Sequence, residues 1–214
     1  MLDTRPRTEA LASLLGRPLG EIVDAIADGD ISSRDGSLAA VACATSAGCL
    51  VAACTDLADL PESQPRLMDL ARVLARARYL RQQLSTLVDD VALAELRLTE
   101  ARALPGRSTN EHMSRRSATQ LALKRALDRR LSVAAIAAEL AGMAHEVELL
   151  AAGKHAALTR LSDTLAGSAL AWMLELVEHE LESAAEPWPR EYVSSELERL
   201  HRTARSLNGS RQPS

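Results

Sequence analysis

Glu175, Glu178, His179 and Glu182 fall within about two helical turns, and Glu198-x-x-His201 follows close behind, so carboxylate and imidazole ligation of a metal is the first chemistry to weigh. A di-iron bundle needs two Glu-x-x-His elements and two further inward carboxylates, whereas this stretch supplies one such element. The group reads as a solvated acidic face, and no metal is expected. Cys43 and Cys54 share one helix face with Cys49 elsewhere, and three thiols on an apolar helix read as small packing residues. Arg129, Arg130, Lys154 and His155 stand at breaks between predicted helices. Cations there either receive an anionic group or complement the helix dipole. The sequence holds no Ser-His-Asp arrangement, phosphate loop or dinucleotide fingerprint.

The elements that must position these groups are helical. Ala (38) and Leu (36) make up about a third of the 214 residues while Phe is absent, which disfavours sandwiches and barrels and predicts an all-α helical bundle. Residues 1–17 form a polar lead, 18–207 a single helical domain and 208–214 a disordered tail. A first helix is predicted over 18–29, with Leu19, Ile22, Val23 and Ile26 on one face. A small-residue helix follows from about Ser37 to Leu60, and the prolines of PESQP break the chain. Its charge-free run, Ser37 to Cys54, reaches the length of a membrane span, but its Ala, Ser, Thr, Gly and Cys content predicts a buried helix of a soluble protein.

Between Leu67 and Ala103 the period is seven. Leu70, Ala77, Leu84, Val91 and Leu98 alternate with Val73, Leu80, Leu87, Ala94 and Ala101, an a/d seam that predicts one rod of roughly 50 Å, far longer than its neighbours. The unbroken seam predicts a partner subunit over part of it, hence a homodimer. Further helices are predicted from the Ser108-Thr109-Asn110 connector to Ala152, with RRLS at 129–132 as a kink or division, then from Gly153 to near Pro187, then over Glu191–Leu207. Net charge is −4 with the arginines scattered, so no nucleic-acid partner is expected. An odd cysteine count without a leader segment predicts a cytoplasmic protein with free thiols, and no membrane association.

PLGEIVDAIADGDISSRDGSLAAVACATSAGCLVAACTDL, LVDDVALAELRLTEARALP and ALDRRLSVAAIAAELAGMAHEVELLAAGK together resemble the formiminotetrahydrofolate cyclodeaminase and methenyltetrahydrofolate cyclohydrolase family over roughly residues 18–183. The resemblance implies that fold, a tetrahydrofolate derivative as substrate or one-carbon donor, and a small-molecule cleft. Its motifs are eroded. A Pro-Gly-Gly-Gly-Ser turn is reduced to Ser33-Arg34-Asp35-Gly36-Ser37, and an Asp-x-Asp-Ala stretch becomes Asp89-Asp90-Val91-Ala92, with Val91 where the family carries an inward acid. A Gly-Asn element corresponds to Gly153-Lys154, and a Ser-Asp element to Thr159-Arg160 or, with a gap, Ser162-Asp163. Two late asparagines correspond to Glu178 and Glu182.

The resemblance therefore implies a site formed by Arg34, Asp35, Gly36, Ser37, Lys154 and His155, with Asp90 the surviving acid or base beside the seam. Three functions compete: C–N hydrolysis, cyclisation or one-carbon transfer on a folate-linked unit; the same cleft repurposed for another small molecule; and a non-catalytic dimeric binding or interaction protein.

Overall fold

The small residues of the charge-free run let a helix sit at the centre of the bundle, because Ala, Ser and Cys allow neighbouring backbones to approach closely. The computed structural model describes residues 35–151, 156–184 and 186–210. In it α1 spans Asp35–Ala58. Helix α2 (Leu67–Arg102) follows a short 3-10 turn at Pro61–Arg66. Then come α3 (Thr109–Ala151), α4 (Ala156–Ser183) and α5 (Trp188–Ser210). The described residues contain no strand, so the all-α bundle stands. The predicted lead, the predicted helix over 18–29 and residues 211–214 lie outside the described residues.

Helix α1 is long and apolar enough to cross a membrane, and here it lies against α2, α3 and α4. Ala40, Cys43, Ala47, Leu50 and Cys54 are fully buried along it. Ser46 and Ser162 clasp α1 to α4: each hydroxyl donates to the other residue's carbonyl, at 2.8 and 3.1 Å, which satisfies both buried side chains. Burial pushes the Cys43 thiol up to about 12, and burial followed by the Glu146 charge pushes Cys54 up to about 11. At neutral pH both are packing groups and not nucleophiles.

Every seam residue of α2 is buried, and α1 and α3 of the same chain cover the seam. The reason given above for a partner subunit is thereby removed. Arg76 also binds Glu139 of α3 through two hydrogen bonds of 2.5 and 2.8 Å, and Arg72 pairs with Glu146. Three boundaries are corrected. Helix α3 runs undivided through RRLS for 43 residues, exceeding the 36 of α2, because Leu127, Leu131, Val133 and Ala134 keep its buried face continuous there. Helix α5 starts at Trp188, where Pro189 fits a first turn that needs no N–H, and it continues through 208–210, the start of the expected tail. Ser108 and Glu111 cap α3 reciprocally: the Glu111 N–H donates to Ser108 Oγ at 3.3 Å, and the Ser108 N–H to Glu111 Oε2 at 3.1 Å.

Candidate functional site

The two flanks of the α2 seam carry different chemistry. On one flank, Glu95 and Arg102 are seven residues apart and share a stripe with Val88. The N-terminus of α1 closes on this stripe. The Gly36 N–H donates to Glu95 Oε1 at 3.2 Å, and a Cβ added at Gly36 would stand 2.4 Å from that oxygen and 2.9 Å from Val91 Cγ1. Only glycine permits this approach. Ser37 is fully buried beside it, and its Oγ makes no hydrogen bond among the described residues.

Arg130 of α3 reaches the same oxygen. Its Nε and Nη2 each lie 3.3 Å from Glu95 Oε1, while its Nη1 is 3.5 Å from Glu180 Oε1 and donates to the Leu176 carbonyl at 3.4 Å. Arg102 Nη2 closes the chain on Glu180 Oε2 at 2.5 Å. The result is a line of alternating charge from the start of α1 through Glu95, Arg130 and Glu180 to Arg102. Its inner members Glu95, Arg130 and Glu180 are buried, which is tolerable because each is paired.

Burial alone would push the Glu180 carboxyl up, but the hydrogen bond and charge of Arg102, with the Arg130 charge, outweigh it and hold the group below its ordinary value. A carboxylate lowered in the folded state stabilises the fold above the unfolded-state value, and that contribution disappears as pH falls through the folded one. Thermal melts of Glu180→Gln should accordingly lie well below the parent's at pH 7 and approach them as pH drops below about 4.3. Parallel curves across that range would contradict this account.

The opposite flank of α2 carries Asp90 and Arg97, seven apart, with Leu104 just past its end, and opens into a groove of about 700 Å³ between α2 and α3. Asp90 is 46% exposed there and pairs with Arg129 at 3.4 Å. Gly36, the neighbour of Ser37 in the chain, meets Val91 and Glu95, while the groove around Asp90 has no α1 residue in its lining. Asp35 begins α1. Arg34, Lys154 and His155 lie outside the described residues. Arg129 and Arg130, adjacent in sequence, part to the two flanks.

Glu95, Arg102 and Glu180 were missed as site residues. The available signal was the pair of opposite charges at 95 and 102 beside the seam, with Arg130 between Leu127 and Leu131 on a buried face. Glu178 pairs with His201 at 2.9 Å, and among the described residues no group of three His, Cys, Asp or Glu side chains is placed to hold a metal.

Residues 18–174 match the family model described as formiminotransferase-cyclodeaminase. The crystal structure of formiminotetrahydrofolate cyclodeaminase from Thermotoga maritima is similar over 91% of this chain and 93% of that one, with a TM-score of 0.66 and 16% identity, which is a likeness of fold. No curated protein matches the chain significantly.

Proposed function

Because this chain belongs to the formiminotransferase-cyclodeaminase family, we propose that it binds a tetrahydrofolate derivative at the N-terminal end of α1 and hydrolyses its one-carbon unit poorly or not at all. The observation that carries this reading is the occupied state of one Glu95 oxygen. Its Oε1 already accepts N–H bonds from Gly36 and twice from Arg130, more donors than one carboxylate oxygen has lone pairs. That oxygen orients its neighbours, and Oε2 of the same carboxylate is buried away from bulk water. Val91, where the resemblance implies an acid, has no group to offer, and Asp90 sits in an open groove where bulk water is present.

In this proposal Ser37 Oγ and the following backbone N–H groups form the polar cradle, and Arg34 and Lys154 meet an anionic group of the ligand, with His155 beside them. Asp90 acts only on a ligand that enters the α2–α3 groove. Calorimetric titration with methenyltetrahydrofolate should show saturable binding, and its absorbance should decay with a turnover number below about 1 per second. Turnover of about 1 to 1,000 per second would overturn the loss of hydrolysis, and absence of binding by every tetrahydrofolate derivative tested would remove folate.

The second reading is a non-catalytic interaction dimer in the cytoplasm. With the seam filled from within the chain, self-association rests on the α2–α3 groove, where Leu104 and Leu121 are exposed. Light scattering at micromolar concentration should then give twice the chain mass, and a single-chain mass would eliminate the dimer.

A further inference from the structure

Where the line of charges ends at Arg102, the fold leaves a second cavity of about 460 Å³, walled by α3, the end of α4 and the start of α5. Its volume falls in the range of small-molecule sites. Charges in the wall are neutralised in pairs with one exception. Arg102 binds Glu180, and Arg116 binds Glu186 at 2.7 Å, with Gln120 donating to the same carboxylate at 2.6 Å. Arg115 is half-buried in the wall and makes no ion pair or hydrogen bond among the described residues.

His112 and Arg115 are one turn apart on α3, and the Leu104-Pro105-Gly106 turn passes beneath both. A Cβ on Gly106 would stand 3.0 Å from the Arg115 guanidinium carbon and 3.1 Å from the His112 ring, so two nitrogen-bearing groups crowd over a residue that has no side chain to separate them. An apolar share of the wall comes from Trp188 and Pro189 of α5, Leu123, and Met113, which is 63% exposed, with Thr119 and Ser183 as uncharged polar neighbours. A guanidinium without a carboxylate, an imidazole beside it and an indole in one concavity suit a compact ligand with one negative charge on an apolar body.

We propose that this cavity is a binding site for a small aromatic or aliphatic carboxylate, its anionic group on Arg115 and His112 and its body against Trp188. The site is separate from the α1 terminus, and its test uses no folate. The chain has two tryptophans, and Trp172 is half-exposed on α4, so Trp172→Phe leaves Trp188 as the sole reporter without disturbing the core. In that background 4-iodobenzoate, a heavy-atom quencher, should extinguish the Trp188 emission along a saturable curve. The neutral 4-iodobenzyl alcohol should bind at least about tenfold more weakly, as should the acid after Arg115→Ala. Gly106→Ala, which keeps both side chains but forces them apart, should weaken the acid as well. Linear quenching that is equal for acid and alcohol, or a binding curve unmoved by Arg115→Ala in a variant with the parent's melting temperature, would overturn the site.

Discussion

Arg130→Ala should lower the unfolding free energy by about 3–5 kcal/mol in denaturant titrations, because it leaves Glu95 buried without its guanidinium. The loss exceeds that of an exposed pair such as Arg199 with Glu196, where water replaces the missing partner and the cost is about 0–1 kcal/mol. It also has a diagnostic companion. Arg130→Met combined with Glu95→Leu removes both charges, keeps Arg102 on Glu180 and should recover most of the stability, since an apolar replacement pays no desolvation. If the single variant costs less than about 1 kcal/mol, the line of charges is not what holds α1 to α2 and α3.

Val91→Asp should raise methenyltetrahydrofolate hydrolysis by about 100- to 10,000-fold over the parent's residual rate, the range that a positioned general base supplies. Val91 is fully buried, and Gly36 faces it as well as Glu95. A carboxyl introduced there would lose solvation and feel Glu95 one turn away, two effects that both raise its pKa toward neutrality. The rate should therefore climb with pH across the neutral range, since a base works only when deprotonated. The variant should melt lower than the parent. A folded variant, shown by an unchanged helical spectrum, that hydrolyses no faster would refute the assignment of Val91 as the lost acid.

Much of the architecture was legible because helical periodicity is local. The seam over Leu67–Ala103 located α2 to within a residue, and the small-residue run located α1 to within two. The boundary errors arose where tertiary packing overrides local signals. RRLS contains two consecutive arginines, which suggests a break, yet Arg130 is drawn inward by Glu95 and Glu180, and the helix continues. The seam itself was correct, while its expected partner was not required, because a heptad pattern reports that a face is covered and not by which chain.

The sequence by itself determined the fold class, which is written in its composition and heptad spacing, and it carried the motifs by which the chain resembles its family. It left the two flanks of the α2 seam equivalent: Asp90 beside Ala94 on one and Glu95 beside Val91 on the other both border the seam in a heptad diagram, and both are carboxylates. Tertiary structure alone separated them. Helix α1 begins against the Glu95 flank, Arg130 turns to the same side, and water is displaced there, whereas Asp90 faces a groove with Arg129. The distinction rests on which helix covers which flank, and that depends on contacts between residues far apart in the chain, such as Gly36 with Glu95, whose pairing no local spacing encodes.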